Sequence, residues 1–122
     1  MNEWTLVAVG RTACPGYVRG RAKLITNAIS QESDFVRGNI LFVRNAGTEH
    51  TTLMFKAAGM VSELGGITCH MATVARELNT PAIVAANGIL DKIKDGADVV
   101  VDASESVGKI YILNNQNNHD NY

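Results

Sequence analysis

The fold is decided by residues 65–84, which read GGITCHMATVARELNTPAIV. Apolar side chains recur within this stretch at the spacing of one helix face, at Met71, Val74, Ala75 and Leu78. This pattern predicts a helix over residues 68–79 with Thr68 as its N-cap, and Asn79 followed by Pro81 supplies the stop signal. The apolar run at residues 81–86 then predicts a buried strand.

Further elements are predicted on both sides of this stretch. Short β-branched, alternating or continuous apolar runs indicate strands at residues 5–9, 17–25, 39–43, 60–61, 98–102 and 109–113. The run at 17–25 alternates apolar and basic residues, which predicts one solvated face, whereas the run at 39–43 predicts a central strand covered on both faces. Residues 48–58 predict a helix capped by Thr48 and ended by Gly59, and residues 88–93 predict a short helix or turn.

These elements indicate an α/β fold. Only two helices of useful length must cover seven candidate strands, which favours a β/β/α sandwich over a doubly wound sheet. A chain of 122 residues with 46% hydrophobic residues is the size of one domain. We assign this domain to residues 1–113. Residues 114–122 contain five Asn and no aliphatic side chain, which predicts a disordered polar tail.

Charge and hydropathy argue against several classes of partner. The chain has 11 basic and 12 acidic residues, a balance that disfavours nucleic acid and a polybasic membrane anchor. Its apolar runs are far shorter than the roughly 20 residues that a membrane-spanning helix needs. No secretory signal is visible, so we expect a cytoplasmic protein with reduced thiols at Cys14 and Cys69. Because neither cysteine lies in a metal-binding spacing, we expect no metal site.

The start of the predicted helix combines features of an anion-binding site. Gly65 and Gly66 allow a ligand to approach the backbone closely, and the first turn of a helix presents unpaired N–H groups and the positive end of its dipole. Thr68 adds a hydroxyl, and His70 adds a nitrogen nucleophile. The arrangement predicts a histidine that accepts a phosphoryl group, which Thr68 and the backbone donors then stabilise.

Other interpretations of the same residues stay open at this point. A histidine near a helix start is commonly a cap or a surface residue, and adjacent glycines commonly form a tight turn. The Cys69 thiol is a second candidate nucleophile, although Cys69 and His70 point about 100° apart on a helix and no orienting Asn or Asp is identifiable. The sequence contains neither GxGxxG nor GxxxxGKS/T, so a nucleotide donor is expected to bind elsewhere.

Residues 65–84 resemble the signature of the mobile phosphohistidine domain of the phosphoenolpyruvate-utilising enzymes, in which GG-x-T-S/C-H precedes an A-R pair and a P-A-I/V-V strand. The resemblance extends to residues 14–22, similar to the family's S-P-G-x-x-x-G-x-A/V segment, and to residues 95–102, similar to its D-G-x-x-V/I-x-V/I-D segment. It covers roughly residues 5–113. The family includes phosphoenolpyruvate synthase, pyruvate phosphate dikinase and enzyme I of the sugar phosphotransferase system, and the resemblance implies a swivelling β/β/α sandwich.

The resemblance implies specific roles for residues of this stretch. His70 would be the phosphorylated residue, and Thr68 would be its hydroxyl partner. The residues implied around the phosphate are Gly65, Gly66 and Cys69. Arg76 and Glu77 also match family positions, but Arg76 lies about 120° around an ideal helix from His70, so a supporting role at the helix surface is expected.

The function implied is that of a phosphocarrier that needs partner domains in trans. His70 would shuttle a phosphoryl group between a nucleotide-binding partner and a pyruvate- or phosphoenolpyruvate-type partner site. ATP and Mg²⁺ are expected on a partner, with no cofactor bound by this domain. One alternative is a component of an ATP-dependent dikinase-type phosphotransferase acting on another small molecule, such as rifampicin or a phenol. The other is a non-catalytic interaction module, which the intact glycines, Thr68 and His70 argue against.

Overall fold

A computed structural model describes residues 3–113, so the predicted tail at 114–122 lies outside the described residues. The strands of this part are β1 (Trp4–Cys14), β2 (Gly16–Leu24), β3 (Ile40–Val43), β4 (Gly59–Ser62), β5 (Ala82–Val84), β6 (Asp98–Ala103) and β7 (Val107–Leu113). The α-helices are α1 (Thr51–Lys56), after β3, and α2 (His70–Leu78), after β4. Single 3-10 turns lie at Glu32–Asp34, Thr48–His50 and Ile89–Asp91.

The strands close into one barrel in the order β1, β5, β4, β3, β2, β6, β7. Strands β2 to β5 pair in parallel, and every other neighbouring pair is antiparallel. The predicted α/β class is confirmed, whereas the predicted sandwich is not. Closure depends on β1, which pairs with both β5 and β7 and changes register between Leu6 and Ala8 and between Thr12 and Cys14. Such irregularities bend a strand, and the sequence pattern gives no sign of them.

The parallel strands are buried on both faces. Side chains that alternate along β3, β4 and β5 point into the barrel, where the core includes Ile40, Phe42, Val61 and Ile83. The intervening side chains pack under the helices, in a core that includes Leu41, Met60, Val84, Met54 and Met71. The prediction that residues 39–43 form a strand covered on both faces is therefore confirmed, since all four residues of β3 are buried.

The predicted helix boundaries need correction. Helix α2 begins at His70 and not at Thr68, because Cys69 is the N-cap, with an extended backbone and no capping hydrogen bond from its side chain. The stop at Asn79 is confirmed, since this residue adopts a left-handed conformation with φ of 58°. The predicted helix at 48–58 is shorter: a 3-10 turn with Gly47 at its N-cap precedes α1. Helix α1 ends before Ala57, whose extended backbone leads towards β4.

One close approach between strands requires a glycine. A Cβ placed on Gly10 of β1 would lie 2.6 Å from the Val84 carbonyl oxygen and 2.7 Å from Ile83 Cγ2 of β5. Real Cβ atoms do not come so near to backbone oxygens, so a larger residue would push β1 away from β5. Gly10 therefore lets the barrel close around the fully buried Ile83.

Candidate functional site

The loops that lead into both helices meet at the carboxyl ends of the parallel strands. A helix that follows a parallel strand begins at the carboxyl edge of that strand, so the starts of α1 and α2 lie side by side. Thr51 is the first residue of α1, and His70 is the first residue of α2. Their side chains are hydrogen-bonded, with 2.9 Å between Thr51 Oγ1 and His70 Nε2. This bond fixes the orientation of the imidazole ring.

His70 is half-buried, and its position at a helix start gives its surroundings a positive character. The next two residues, Met71 and Ala72, are fully buried and anchor the first turn in the core. The Cys69 N–H donates to the Gly66 carbonyl at 3.1 Å, whereas the N–H groups of the first helical turn have no intrahelical acceptor. The helix dipole also favours negative charge here. A half-exposed imidazole in this position suits nucleophilic attack on a phosphoryl group.

The two glycines before the helix differ in their surroundings. Gly65 has φ of +103°, a left-handed conformation that side chains rarely adopt, and a Cβ there would lie 3.1 Å from Cys69 Sγ. Gly66 has no described atom within 4 Å of the position a Cβ would take. Gly65 is therefore required by the turn itself, while Gly66 leaves the backbone open to an approaching group.

Buried hydrogen bonds hold the loop that carries the glycines, residues 63–69, which we call the glycine loop. The Ser62 hydroxyl is 1% exposed and lies 3.2 Å from the Arg44 carbonyl oxygen and 2.5 Å from that of Leu64. The Leu64 N–H also donates to the Arg44 carbonyl, at 2.9 Å. On the other side, the Glu63 carboxylate accepts the Leu90 N–H at 2.9 Å. These contacts hold the glycine loop against the loop after β3 and against the 3-10 turn at Ile89–Asp91.

Arg76 supports the site from behind rather than contacting His70. Its guanidinium donates to the Ile67 carbonyl in the glycine loop at 2.7 Å and to the Ala13 carbonyl at the end of β1 at 3.2 Å. Helix α2, the glycine loop and β1 are thereby tied together. Glu77 is exposed and makes no hydrogen bond or ion pair with another described residue.

The sequence profile of the PEP-utilising enzyme mobile domain matches residues 35–106, which include His70, Thr51 and the glycine loop. The chain belongs to this family.

Relatives of this mobile domain are found in much longer proteins. The chain is 37% identical over 112 residues to the phosphoenolpyruvate synthase of Synechocystis, a match that covers 89% of this chain and 14% of the relative. It is 33% identical over 103 residues to the rifampicin phosphotransferase of Bacillus subtilis, covering 84% of this chain and 12% of the relative. The solution structure of an enzyme I protein superimposes with a TM-score of 0.54 at 28% identity, covering 72% of this chain and 36% of that protein. The chain thus spans about one seventh of the curated relatives named here.

Two of the predicted phosphate-site residues, Thr68 and Cys69, make no side-chain hydrogen bond with His70. The Thr68 side chain is exposed and makes no hydrogen bond with a described residue, so it does not cap α2. Cys69 is half-buried and packs against the core under the helices. Both thiols, Cys14 and Cys69, are free, as expected. The side-chain group that the structure brings to His70 is the Thr51 hydroxyl.

Thr51 is the neighbour of His70 that the sequence analysis did not predict. The signal was present but indirect: two predicted helices each follow a strand, and helices after neighbouring parallel strands begin at the same edge. A hydroxyl in the first turn of the earlier helix is therefore a neighbour of His70. Thr48, Thr51 and Thr52 all satisfied this description, and the structure shows that Thr51 makes the contact.

The structure adds two negative findings for residues 3–113. No helix in this part is long and apolar enough to cross a bilayer. No group of three or more His, Cys, Asp or Glu side chains in this part is arranged to hold a metal ion.

Proposed function

We propose that this mobile domain is a phosphocarrier in which His70 accepts a phosphoryl group from a nucleotide-binding partner and donates it at a pyruvate- or phosphoenolpyruvate-type partner site. The observation that supports this role best is the half-exposed His70 imidazole, held by Thr51 at the start of α2 in a member of this family. The proposal includes movement of the whole barrel between two partner sites, as the name of the family suggests, and a cytoplasmic location.

The transfer needs a free electron pair on one ring nitrogen of His70. This pair attacks the phosphorus of the donor, so that an N–P bond forms while the P–O bond to the leaving group breaks and its electron pair stays on that oxygen. If Nε2–H donates to Thr51, the free pair is on Nδ1. If the Thr51 hydroxyl donates instead, Nε2 becomes the nucleophile when the threonine turns away. Nitrogen NMR of the phosphorylated domain distinguishes the two products.

Other residues of the glycine loop are proposed to surround the phosphoryl group. The backbone at Gly65 and Gly66 gives access, and the exposed Thr68 hydroxyl is free to bind a phosphate oxygen once the group is present. Cys69 contributes its position at the N-cap, and Arg76 and Glu77 act from the helix surface. ATP and Mg²⁺ are proposed to bind to a partner, because this chain lacks the glycine-rich nucleotide motifs and spans a small part of its relatives.

Labelling experiments test the proposal. The purified domain, incubated alone with Mg²⁺ and ATP labelled at the β- or γ-phosphate, should remain unlabelled. A catalytic amount of a nucleotide-binding chain, or phosphoenolpyruvate with its binding chain, should label the whole pool. The bond should be acid-labile and base-stable, as expected for a phosphoramidate. Stoichiometric labelling of the domain alone would show that it holds its own nucleotide site and would contradict the carrier role.

A second candidate is a component of an ATP-dependent phosphotransferase that acts on another small molecule. The match to a rifampicin phosphotransferase favours it. The identity of the acceptor distinguishes the two functions. The phosphorylated domain is mixed with pyruvate or with rifampicin, each together with the corresponding partner chain. Transfer of the label to one of these acceptors identifies the function. Failure to take up label from every donor would favour the non-catalytic module.

A further inference from the structure

A groove on the mobile domain does not include His70 among its lining residues and has no role in the proposed transfer. It is formed by the segment after β2, the loop after β3 and the 3-10 turn before α1, and its volume is about 520 Å³. This volume falls within the range of small-molecule sites, roughly 300–1,000 Å³. Its apolar wall includes Ile25, Ala28, Val43 and Leu90.

The groove is lined by a buried polar side chain with an unused donor. His50 is 7% exposed, and its Nδ1 accepts the Gly47 N–H at 3.0 Å. A ring nitrogen that accepts a hydrogen bond carries no proton, so the proton of the neutral imidazole is on Nε2. Within residues 3–113 this Nε2–H has no acceptor. A buried donor without an acceptor is costly, so the groove favours a ligand that supplies an oxygen.

Arg44 adds an unpaired positive charge to the same groove. Its guanidinium makes no hydrogen bond or ion pair with another described residue, while its carbonyl oxygen is fixed by Leu64 and Ser62. The base of the side chain is therefore held in place, and its charge is free. Glu49 is the opposing charge, but its carboxylate lies on the Nδ1 side of His50, at 3.7 Å.

We propose that this groove binds a small organic anion through His50 and Arg44. The apolar body of the ligand packs on Ile25, Val43 and Leu90, and its anionic oxygens accept hydrogen bonds from His50 Nε2–H and the Arg44 guanidinium. Carboxylates and phosphate esters share this chemistry. The site does not depend on the proposed phosphoryl transfer, because it is formed in the unmodified chain.

The proposal is tested by NMR titration of the unphosphorylated full chain with four probes. Benzoate and phenyl phosphate carry both an apolar body and an anion, benzyl alcohol carries only the body, and inorganic phosphate carries only the anion. We expect benzoate, phenyl phosphate or both to bind with a Kd of about 1 mM and to shift the His50 ring signals. The other two probes should bind at least about tenfold more weakly. The stronger of the two anions identifies the ligand class.

Variants assign the binding to the named groups. His50→Asn keeps an acceptor for the Gly47 N–H but removes the Nε2 donor, and Arg44→Met removes the charge while keeping the chain length. Each should weaken anion binding about tenfold, whereas Glu49→Gln should strengthen it a few-fold. Arg11→Met, at an exposed position outside the groove, is the matched control and should change nothing.

Three results would each overturn the proposal. They are absence of saturable binding by both organic anions, benzyl alcohol binding as tightly as benzoate, and affinities that are unchanged in both His50→Asn and Arg44→Met. Because no partner and no donor are present, these results are independent of whether His70 is phosphorylated.

Discussion

The parallel and antiparallel halves of the barrel differ in the length and role of the connections between their strands. In the parallel half, β2 to β5, each connection crosses from one end of a strand to the other, and two of these crossovers carry α1 and α2 with Thr51 and His70. The antiparallel half comprises β1, β6, β7 and residues 16–21 of β2, which pair with β6. There, Pro15 alone joins β1 to β2, and a three-residue turn joins β6 to β7. The long crossovers thus supply the candidate site, whereas the short connections close the barrel.

The outer surface of the antiparallel half is stabilised by its own contacts. Arg19 lies 5.0 Å from the centre of the Trp4 ring and forms an ion pair with Asp98 at 2.7 Å. The hydrogen bonds from the guanidinium to Asp98, and the negative charge of that carboxylate, raise the pKa of Arg19 above its usual value. Tyr17 is 66% exposed on the same surface. None of these residues reaches the groups around His70, so substitutions in the two halves should have separable effects.

The largest separation is expected between His70→Ala and Tyr17→Ala. The first variant should lose all labelling from a donor and its partner chain, because it lacks the nucleophile. The second should label fully, since Tyr17 is exposed on the antiparallel half. Label that persists in His70→Ala and disappears in Thr68→Ala would instead indicate a hydroxyl ester.

For stability, we expect a large effect in the barrel, from Gly10→Ala, and a small effect in the glycine loop, from Gly66→Ala. The Cβ at position 10 meets the Val84 carbonyl oxygen, so the free energy of unfolding in urea should fall by about 2–3 kcal/mol. Gly66→Ala meets no described atom and should change stability by less than about 0.5 kcal/mol. Equal losses of stability would show that the glycine loop is as tightly packed as the barrel.

Thr51→Val removes the hydroxyl that orients His70 while keeping the shape of the side chain. We expect the rate of phosphoryl transfer to fall about tenfold, or ~1.4 kcal/mol of barrier, with little change in stability. Thr51→Ser keeps the hydroxyl and should restore most of the rate. A Val variant as fast as the wild type would mean that the 2.9 Å hydrogen bond has no part in positioning the ring.

A smaller effect is expected for Cys69→Ser. The thiol packs against the core under the helices, and His70 makes its hydrogen bond with Thr51 instead. Labelling should therefore slow by less than about tenfold. Complete loss of labelling in a variant with an unchanged circular dichroism spectrum would revive the thiol as the nucleophile.

The smallest effect is expected for Ser104→Ala in the antiparallel half. The Ser104 hydroxyl and N–H lower the pKa of Asp102 by donating to its carboxylate, at 2.6 and 3.1 Å. A lowered pKa stabilises the fold at neutral pH, and this contribution is lost as the pH falls through the folded-state pKa. The variant should lose less than about 1 kcal/mol at neutral pH, because the pair is exposed to solvent. Denaturation curves of the two proteins should converge once the pH falls below the lowered pKa of Asp102.

The sequence predicted what depends on local periodicity. The apolar stripe of α2, the stop at Asn79 and the doubly covered β3 are confirmed, because each follows from the spacing of neighbouring side chains. The predicted start of α2 was wrong by two residues, since the N-cap is Cys69, whose side chain makes no capping hydrogen bond. A preference of threonine for capping positions does not show which residue of the loop has the extended backbone of an N-cap.

What the sequence could not predict depends on contacts between distant segments. Thr51 contacts His70 only because β3 and β4 are neighbours in parallel, and the barrel closes only because Gly10 admits Ile83. The unused donor of His50 also depends on a turn that brings Gly47 to Nδ1. None of these contacts between distant residues produces a periodic pattern in the sequence.

The pairing of Trp4 with Leu113 has a mechanical consequence. The first and last described strands lie side by side, so the chain enters and leaves the barrel at neighbouring points. If the polypeptide continued in both directions, its two linkers would leave the barrel side by side. The barrel would then turn about that point as one body and would carry His70 with it.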